Sequence, residues 1–305
     1  MKVFLCEKLH EKAYNRLKEK FEIIDDWNRI GEVDALINRD LHIYKEEIDK
    51  MPKLKVIAVH GTGTDGVDLE YAKQRNVKVV YAPHMNANAV AELNVALILN
   101  AMRKVTYADK VIRAGRKNEA ISLLFGNELC GKTFGTIGFG AIGKRTAEIL
   151  KNGFGMECIA YSPSLDERKA KEYGVGYVSS CDEILKNADV VSLNLPLQEA
   201  TKHMINSEKL KLMKKTAVLV NCARGGLVCD DDLYSALVNE DIKAYACDVS
   251  QSDVFDKENK LMKLDNYIAT PHIGANTDEA LYTVGMACVE QIIDVLEGRK
   301  AQYEL

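Results

Sequence analysis

Along the chain, short apolar runs alternate with segments whose apolar residues recur every three to four positions. Residues 3–5 form such a run, and Leu9, Ala13, Leu17 and Phe21 then mark one face of an amphipathic helix. Strand-like runs at 35–37, 54–59 and 77–81 follow, separated by Lys/Glu-rich helical segments. This alternation predicts a small α/β unit on a parallel sheet. Pro83 stops the last run, and from Asn88 a helix carries Ala91, Leu93, Ala96, Leu97, Leu99 and Met102. It is apolar nearly all round, so its burial between domains or between subunits is expected. A polar stretch, 113–127, leads to the second half.

There the apolar runs lie at 133–137, 158–161, 190–193, 217–220, 244–247 and 267–269, with helical patterns at 142–150, 181–187 and 230–240 between them. Strands covered on both faces read as continuous apolar runs, so the expectation is a doubly wound parallel sheet. A last helix, 278–297, places Leu281, Val284, Cys288, Ile292 and Val295 on one face. Asn276 or Thr277 can cap it and Gly298 can end it. Neither a repeat nor a flexible linker interrupts the chain, and no appended regulatory domain is expected.

The run at 133–137 enters T-F-G-T-I-G-F-G-A-I-G-K, residues 133–144, and the helix begins at once. In such a G-x-G-x-x-G turn Gly138 permits the tight reversal, Gly140 lets backbone approach a pyrophosphate, and Gly143 lets helix pack on strand. The first-turn N–H groups, including those of Ala141 and Ile142, offer partial positive charge to phosphates. Dinucleotide binding is therefore expected rather than a merely structural turn.

Several loops fall just past strand ends, where open α/β sheets bind ligands. In the first half these are Asn38-Arg39-Asp40 and the run from His60 through Gly61, Thr62 and Gly63 to Asp65, whose N–H groups could face an anion. Arg39 could equally be a solvated charge, and the glycines a plain turn. In the second half they are Asn221-Cys222-Ala223-Arg224-Gly225-Gly226, residues 248–253, and Thr270-Pro271-His272. An arginine, a carboxylate and a histidine should thus converge beside a bound nicotinamide.

Composition narrows the partners. Of 305 residues 47% are hydrophobic and 28% charged, and the net charge of -4 leaves no electrostatic footprint for nucleic acid or an anionic membrane. The eight cysteines form no C-x-x-C pair and the six histidines show no metal-ligand spacing. Reduced thiols, no signal peptide and no membrane span point to the cytoplasm and a small-molecule ligand.

Five segments carry a resemblance: H-G-T-G-T-D-G-V-D from His60, N-A-V-A-E-L from Asn88, E-L-C-G-K-T-F-G-T-I-G-F-G-A-I-G from Glu128, N-C-A-R-G-G from Asn221 and T-P-H-I-G-A from Thr270. Over nearly its whole length the chain resembles a D-isomer-specific 2-hydroxyacid dehydrogenase, most closely the phosphoglycerate dehydrogenase branch. The resemblance implies a Rossmann dinucleotide domain, 99–277, inserted into a smaller flavodoxin-like α/β substrate domain, 1–98 with 278–305. It also implies homodimers formed through the inserted domain.

By the same resemblance Arg224 binds the substrate carboxylate and polarises its carbonyl, His272 exchanges the proton, and Asp248 lies near the nicotinamide amide. These residue types suit the tasks, a planar guanidinium for carboxylate and an imidazole titrating near neutrality. Pro196 sits in the loop that closes over the cofactor, and Ala223 of the arginine loop is a further expected cofactor contact. The family usually has glutamate behind the histidine. Spacing places Asp253 there, shorter by about 1.5 Å, with Asp256 as a weaker candidate and an idle surface aspartate as the plain alternative.

Ser162 stands where an aspartate usually holds the adenine ribose of NAD, so NAD is expected with NADP tolerated. Arg39 matches an arginine that contacts substrate phosphate, yet no basic residue lies at Ala120-Ile121-Ser122, where a second cation is expected. The leading expectation is hydride transfer between NAD(H) and D-3-phosphoglycerate in serine biosynthesis, alternatively a general 2-oxo acid reductase. A dinucleotide-sensing binding protein of corepressor type and a catalytically degraded scaffold are the other classes.

Overall fold

The computed structural model describes residues 1–116 and 124–305. They form two units, Met1–Ala89 with Ala275–Leu305, and Val90–Gly274. The first unit is a five-stranded parallel sheet of β1 (Lys2–Leu5), β2 (Glu22–Ile24), β3 (Ala35–Asn38), β4 (Val56–Val59) and β5 (Lys78–Tyr81). Its order, β2-β1-β3-β4-β5, is the flavodoxin-like one.

Successive side chains on a strand point to opposite faces, and the two faces of this sheet bury different helices. Val3, Leu5, Ala35, Ile37, Val56 and Ala58 share a core with Leu17 of α1 (Glu11–Lys18) and with Val284, Cys288 and Ile292 of the final helix. Phe4, Leu36, Ile57 and Val79 pack with Ile48 of α2 (Lys45–Asp49) and Ala72 of α3 (Leu69–Gln74).

The second unit is a seven-stranded parallel sheet of β6 (Thr133–Ile137), β7 (Glu157–Tyr161), β8 (Gly176–Tyr177), β9 (Val190–Leu193), β10 (Val218–Asn221), β11 (Ala244–Cys247) and β12 (Tyr267–Ala269). The order β12-β11-β10-β9-β6-β7-β8 reverses direction between β6 and β9. That switch point opens a crevice at the carboxyl ends of both strands. The expected fold class, a doubly wound sheet with a smaller α/β unit, is the one observed.

Helices α4 (Ala87–Arg103) and α6 (Ala141–Phe154) cover one face, where Val95, Ile98, Met102 and Leu150 meet Phe134, Val190 and Val218. On the other face α8 (Cys181–Asn187), α9 (Ser207–Leu210) and α10 (Asp230–Val238) bring Ile184, Leu210 and Leu233 against Ile137, Val191 and Leu219. The short helix α7 (Glu167–Glu172) follows β7.

Because α4 gives Val95 through Met102 to this core, the chain leaves the first unit at Ala89, earlier than the expected 98. It returns at Ala275 rather than 278, since Thr277 caps α11 (Asp278–Leu296) and Asn276 bonds to Arg39 within the first unit. A further helix, α5 (Val105–Arg113), occupies part of the stretch read as polar linker. Among the described residues no helix is long and apolar enough to cross a membrane.

Gly135 in the middle of β6 shows how tightly these layers fit. A Cβ there would lie 2.6 Å from Ile184 Cγ2 and 2.9 Å from Ala188 Cβ, so α8 rests directly on strand backbone. Gly135→Val should therefore destabilise the second unit by about 1–3 kcal/mol through overpacking, measured as a lowered urea midpoint.

Candidate dinucleotide and active site

At the switch point the three glycines differ in surroundings. Gly138 adopts φ +97°, where side chains strain, and donates its N–H to Tyr161 O at 2.8 Å; a Cβ would strike the Asn194 backbone. At Gly143 a Cβ would come within 2.5 Å of Gly138 O, so the first turn of α6 lies against the turn itself. Around Gly140 nothing approaches within 4 Å of the Cβ position. That open cradle is where a diphosphate can lie against backbone.

The helix cap agrees. Gly140 is the N-cap of α6 with no side-chain cap bond, and the first intrahelical bond is Lys144 N to Gly140 O at 2.9 Å. The N–H groups of Ala141, Ile142 and Gly143 lie ahead of that bond, as at any helix start, and suit an anion. These residues fit a dinucleotide.

Ser162 follows β7, its hydroxyl 3.4 Å from that of Ser164. The nearby cation Lys169 pairs with Asp166 at 3.6 Å and donates to Ser164 O at 3.0 Å. Pro196 is exposed, and its carbonyl accepts the Thr201 hydroxyl at 2.8 Å.

The arginine and histidine loops share one organiser. Asn221, Cys247 and Ala269 are in parallel register, so the following residues leave the sheet at one edge. Asp248 is 2% exposed, and its Oδ1 accepts the Thr270 hydroxyl at 2.6 Å and Ile273 N at 2.8 Å, while Oδ2 accepts Gly274 N at 2.7 Å. Its own N–H donates to Asn221 O at 3.0 Å, and its carbonyl accepts His272 N at 2.9 Å. The carboxylate thus builds the turn that presents His272, whose φ of +55° is the left-handed region.

Asn221 does the same for Arg224. Buried at the end of β10, it accepts from Ala223 N at 3.0 Å through Oδ1 and donates from Nδ2 to Arg224 O at 2.9 Å. Arg224 in turn donates from Nη1 to Ala223 O at 2.7 Å. Gly225 lies against the backbone of Ser250 and Gln251, where a Cβ could not fit. Asn221 and Thr270 open the loops quoted from the sequence but carry no assigned role there; the polar residue ending each apolar run is the signal that marks them.

Asp253 is exposed, and its Oδ1 accepts Phe255 N at 2.8 Å. Asp256 makes the same local turn with Glu258 N at 2.9 Å. Both carboxylates serve their own loop, as aspartates in turns do, and the structure does not show Asp253 behind His272.

In the first unit, Glu7 at the end of β1 was missed by sequence reasoning. Its two oxygens accept the N–H groups of Arg39 and Asp40 at 3.1 Å each, which fixes the turn carrying Arg39. Burial raises the Glu7 pKa. The Arg39 guanidinium bonds to Asn276 Oδ1 and lies 3.6 Å from Asp40.

The loop at 61–63 differs from expectation in one respect. Gly61 donates its N–H to Val59 O at 2.8 Å, so that group is already used. Among the described residues the Thr62 and Gly63 N–H groups make no backbone bond, and Thr62 Oγ1 lies 3.1 Å from Asn86 Oδ1. The segment Ala120-Ile121-Ser122 lies outside the described residues.

Fold and turn define a dinucleotide-binding protein. A family model for D-isomer specific 2-hydroxyacid dehydrogenase, NAD binding domain, matches residues 95–274. D-3-phosphoglycerate dehydrogenase of Methanocaldococcus jannaschii is 38% identical over 314 residues, 99% of this chain, and this chain spans 59% of that relative. Hydroxypyruvate reductase of Thermotoga maritima is 39% identical over 270 residues, covering 88% of this chain and 86% of its own. D-lactate dehydrogenase of Aquifex aeolicus, solved with NAD and lactic acid, superposes with a TM-score of 0.85 at 28% identity, covering 98% of this chain and 96% of its own.

The chain belongs to the D-isomer-specific 2-hydroxyacid dehydrogenases, a family of NAD-dependent oxidoreductases.

His60, at the end of β4, generates a pH prediction. Its ring is buried, and among the described residues Nε2 has no hydrogen-bond partner. Burial first, and then the Arg39 charge, lower its pKa below 6.5. Below 6.5 the unfolded chain takes up a proton that the folded chain refuses, so stability is full above that value and is lost as pH falls beneath it. Between about pH 7.5 and 5.5 the wild type should lose more urea resistance than His60→Asn, by up to about 1.4 kcal/mol per pH unit, the one-proton limit.

Proposed function

We propose that this chain interconverts a D-2-hydroxy acid and its 2-oxo acid, with D-3-phosphoglycerate as the substrate and entry into serine biosynthesis as the setting. The observation that carries the chemistry is the brace through Asp248, which follows β11 and joins the Arg224 loop after β10 to the His272 loop after β12 on either side of it. In this reading Gly138, Gly140, Ala141, Ile142 and Gly143, with Ser162, Pro196 and Ala223, would hold NAD(H), which when bound would supply or accept the hydride.

Arg224 grips the substrate carboxylate with its planar fork and polarises the carbonyl. His272 gives or takes the proton on the substrate oxygen. Asp253 retains the part of the carboxylate that orients His272, from a loop that rests on Gly225. Within the first unit the N–H groups of Thr62 and Gly63 are the proposed anion contacts, with Gly61 shaping that loop.

Arg39 supports the phosphorylated substrate: its backbone is fixed by Glu7, and the relative from M. jannaschii is named for that reaction. Asp40 beside its guanidinium favours a second reading, reduction of unphosphorylated hydroxypyruvate, for which the T. maritima relative is named. Ser162 leaves room for NADP as well as NAD. We further propose a cytoplasmic homodimer, in keeping with eight free thiols. A binding protein without turnover is not favoured, since the relatives are named for oxidoreductase activities.

Steady-state reduction of phosphohydroxypyruvate, hydroxypyruvate, glyoxylate and pyruvate by NADH and NADPH tests the reading. Arg224→Ala should lower kcat/KM by at least about a hundredfold while leaving NADH affinity unchanged, and an unaffected variant removes Arg224 from the site. Arg39→Ala should raise KM for phosphohydroxypyruvate about tenfold or more, the scale of a lost charge-assisted contact, and spare hydroxypyruvate. Equal use of both acids by the wild type would favour the second reading.

A further inference from the structure

Beneath the glycine turn runs a line of buried polar side chains with no place in the reaction above. Asn94 on α4, Ser192 on β9 and Thr136 on β6 are each 0% exposed, within strands and a helix that are otherwise apolar there. Asn94 Nδ2 donates to Ser192 Oγ at 2.8 Å. Asn194 Nδ2 donates to the same Ser192 Oγ at 3.0 Å and to Thr136 Oγ1 at 3.0 Å, using both of its amide hydrogens. Thr136 Oγ1 then donates to Gly138 O at 2.8 Å. The line therefore ends on the first glycine of the turn.

Burying polar groups in a core is costly unless each finds a partner, and apolar residues of similar shape would fill the same space more cheaply. Their position supplies a reason for keeping them. Gly138 has φ +97°, the Asn194 backbone fills the space beside its Cα, and Gly143 of α6 sits against Gly138 O and Thr136 Oγ1. Fixing Gly138 O consequently fixes both the strand exit and the helix start. A glycine turn is soft by itself, and an array of N–H groups binds an anion well only when it is already in place.

We propose that Asn94, Ser192, Asn194 and Thr136 are positioning residues that hold the dinucleotide turn in its binding conformation, so that NAD(H) affinity is set in part from helix α4. Asn94 Oδ1 has no partner among the described residues, so this amide serves the line through its donor side alone.

The test is NADH affinity, read by energy transfer from protein to bound NADH, beside the melting temperature of each variant. Thr136→Val keeps the shape, removes the hydroxyl and should raise the NADH Kd about tenfold, the scale of a buried acceptor losing its donor. Thr136→Ser keeps the hydroxyl and should stay within about twofold. Asn94→Leu, four links from the turn, should raise Kd about threefold, and adding it to Thr136→Val should cost nothing more because the line is already cut.

A wild-type Kd in Thr136→Val, whatever its melting temperature, would overturn the proposal. So would equal losses in the serine and valine variants, or a double variant whose effects multiply. If Thr136→Val does not fold, Asn94→Leu decides: an unchanged Kd there refutes the line, and a raised Kd with unaltered melting temperature supports it.

Discussion

The carboxylate of Asp248 is the interaction on which the second unit's chemistry rests. At 2% exposure a carboxylate would be expensive to bury unless hydrogen-bonded, and three donors from Thr270, Ile273 and Gly274 serve its two oxygens. Its backbone meanwhile extends the ladder, giving to Asn221 O and taking from His272 N. One residue thereby converts three parallel strand ends into a defined pair of loops. Asn221 and Asp248 hold the Arg224 and His272 loops through bonds to the backbone of those two residues.

The cofactor turn is built on a different principle. There the site is made by what is missing: no side chain at Gly140, no capping hydroxyl or carboxylate at the start of α6, and room for a phosphate against bare N–H groups. Rigidity comes from below, where the layers touch backbone directly at Gly135 and Gly143. The first unit repeats the economy on a smaller scale, using Glu7 to cap two N–H groups of the Arg39 turn.

Much of this was legible in the order of residues. The runs that became Val190–Leu193, Ala244–Cys247 and Tyr267–Ala269 are apolar but for Ser192 because the sheet is covered on both faces, so their ends could be read directly. Strand β2 hid because Glu22–Ile24 is three residues long and opens on a glutamate, and β8 because Gly176–Tyr177 is exposed. Helix α5 escaped because it buries Val111 and leaves Val105 and Ile112 to solvent. Within the site, residue types showed which side chains could act, but not who holds them. That Gly61 spends its N–H on Val59, that Asp253 accepts from Phe255, and that Glu7 organises Arg39 are facts of backbone geometry, which no pattern of apolar positions encodes.

Gly225 shows how this arrangement limits the directions in which the protein can change. Its α-carbon is pressed onto the peptide between Ser250 and Gln251, and Gly226 is pressed onto Leu197. The arginine loop and the loop that follows β11 therefore fit together as a single piece. Changes of backbone path at residues 250–251 will be tolerated only while position 225 stays glycine, and a side chain introduced there will need a compensating rearrangement in the opposite loop.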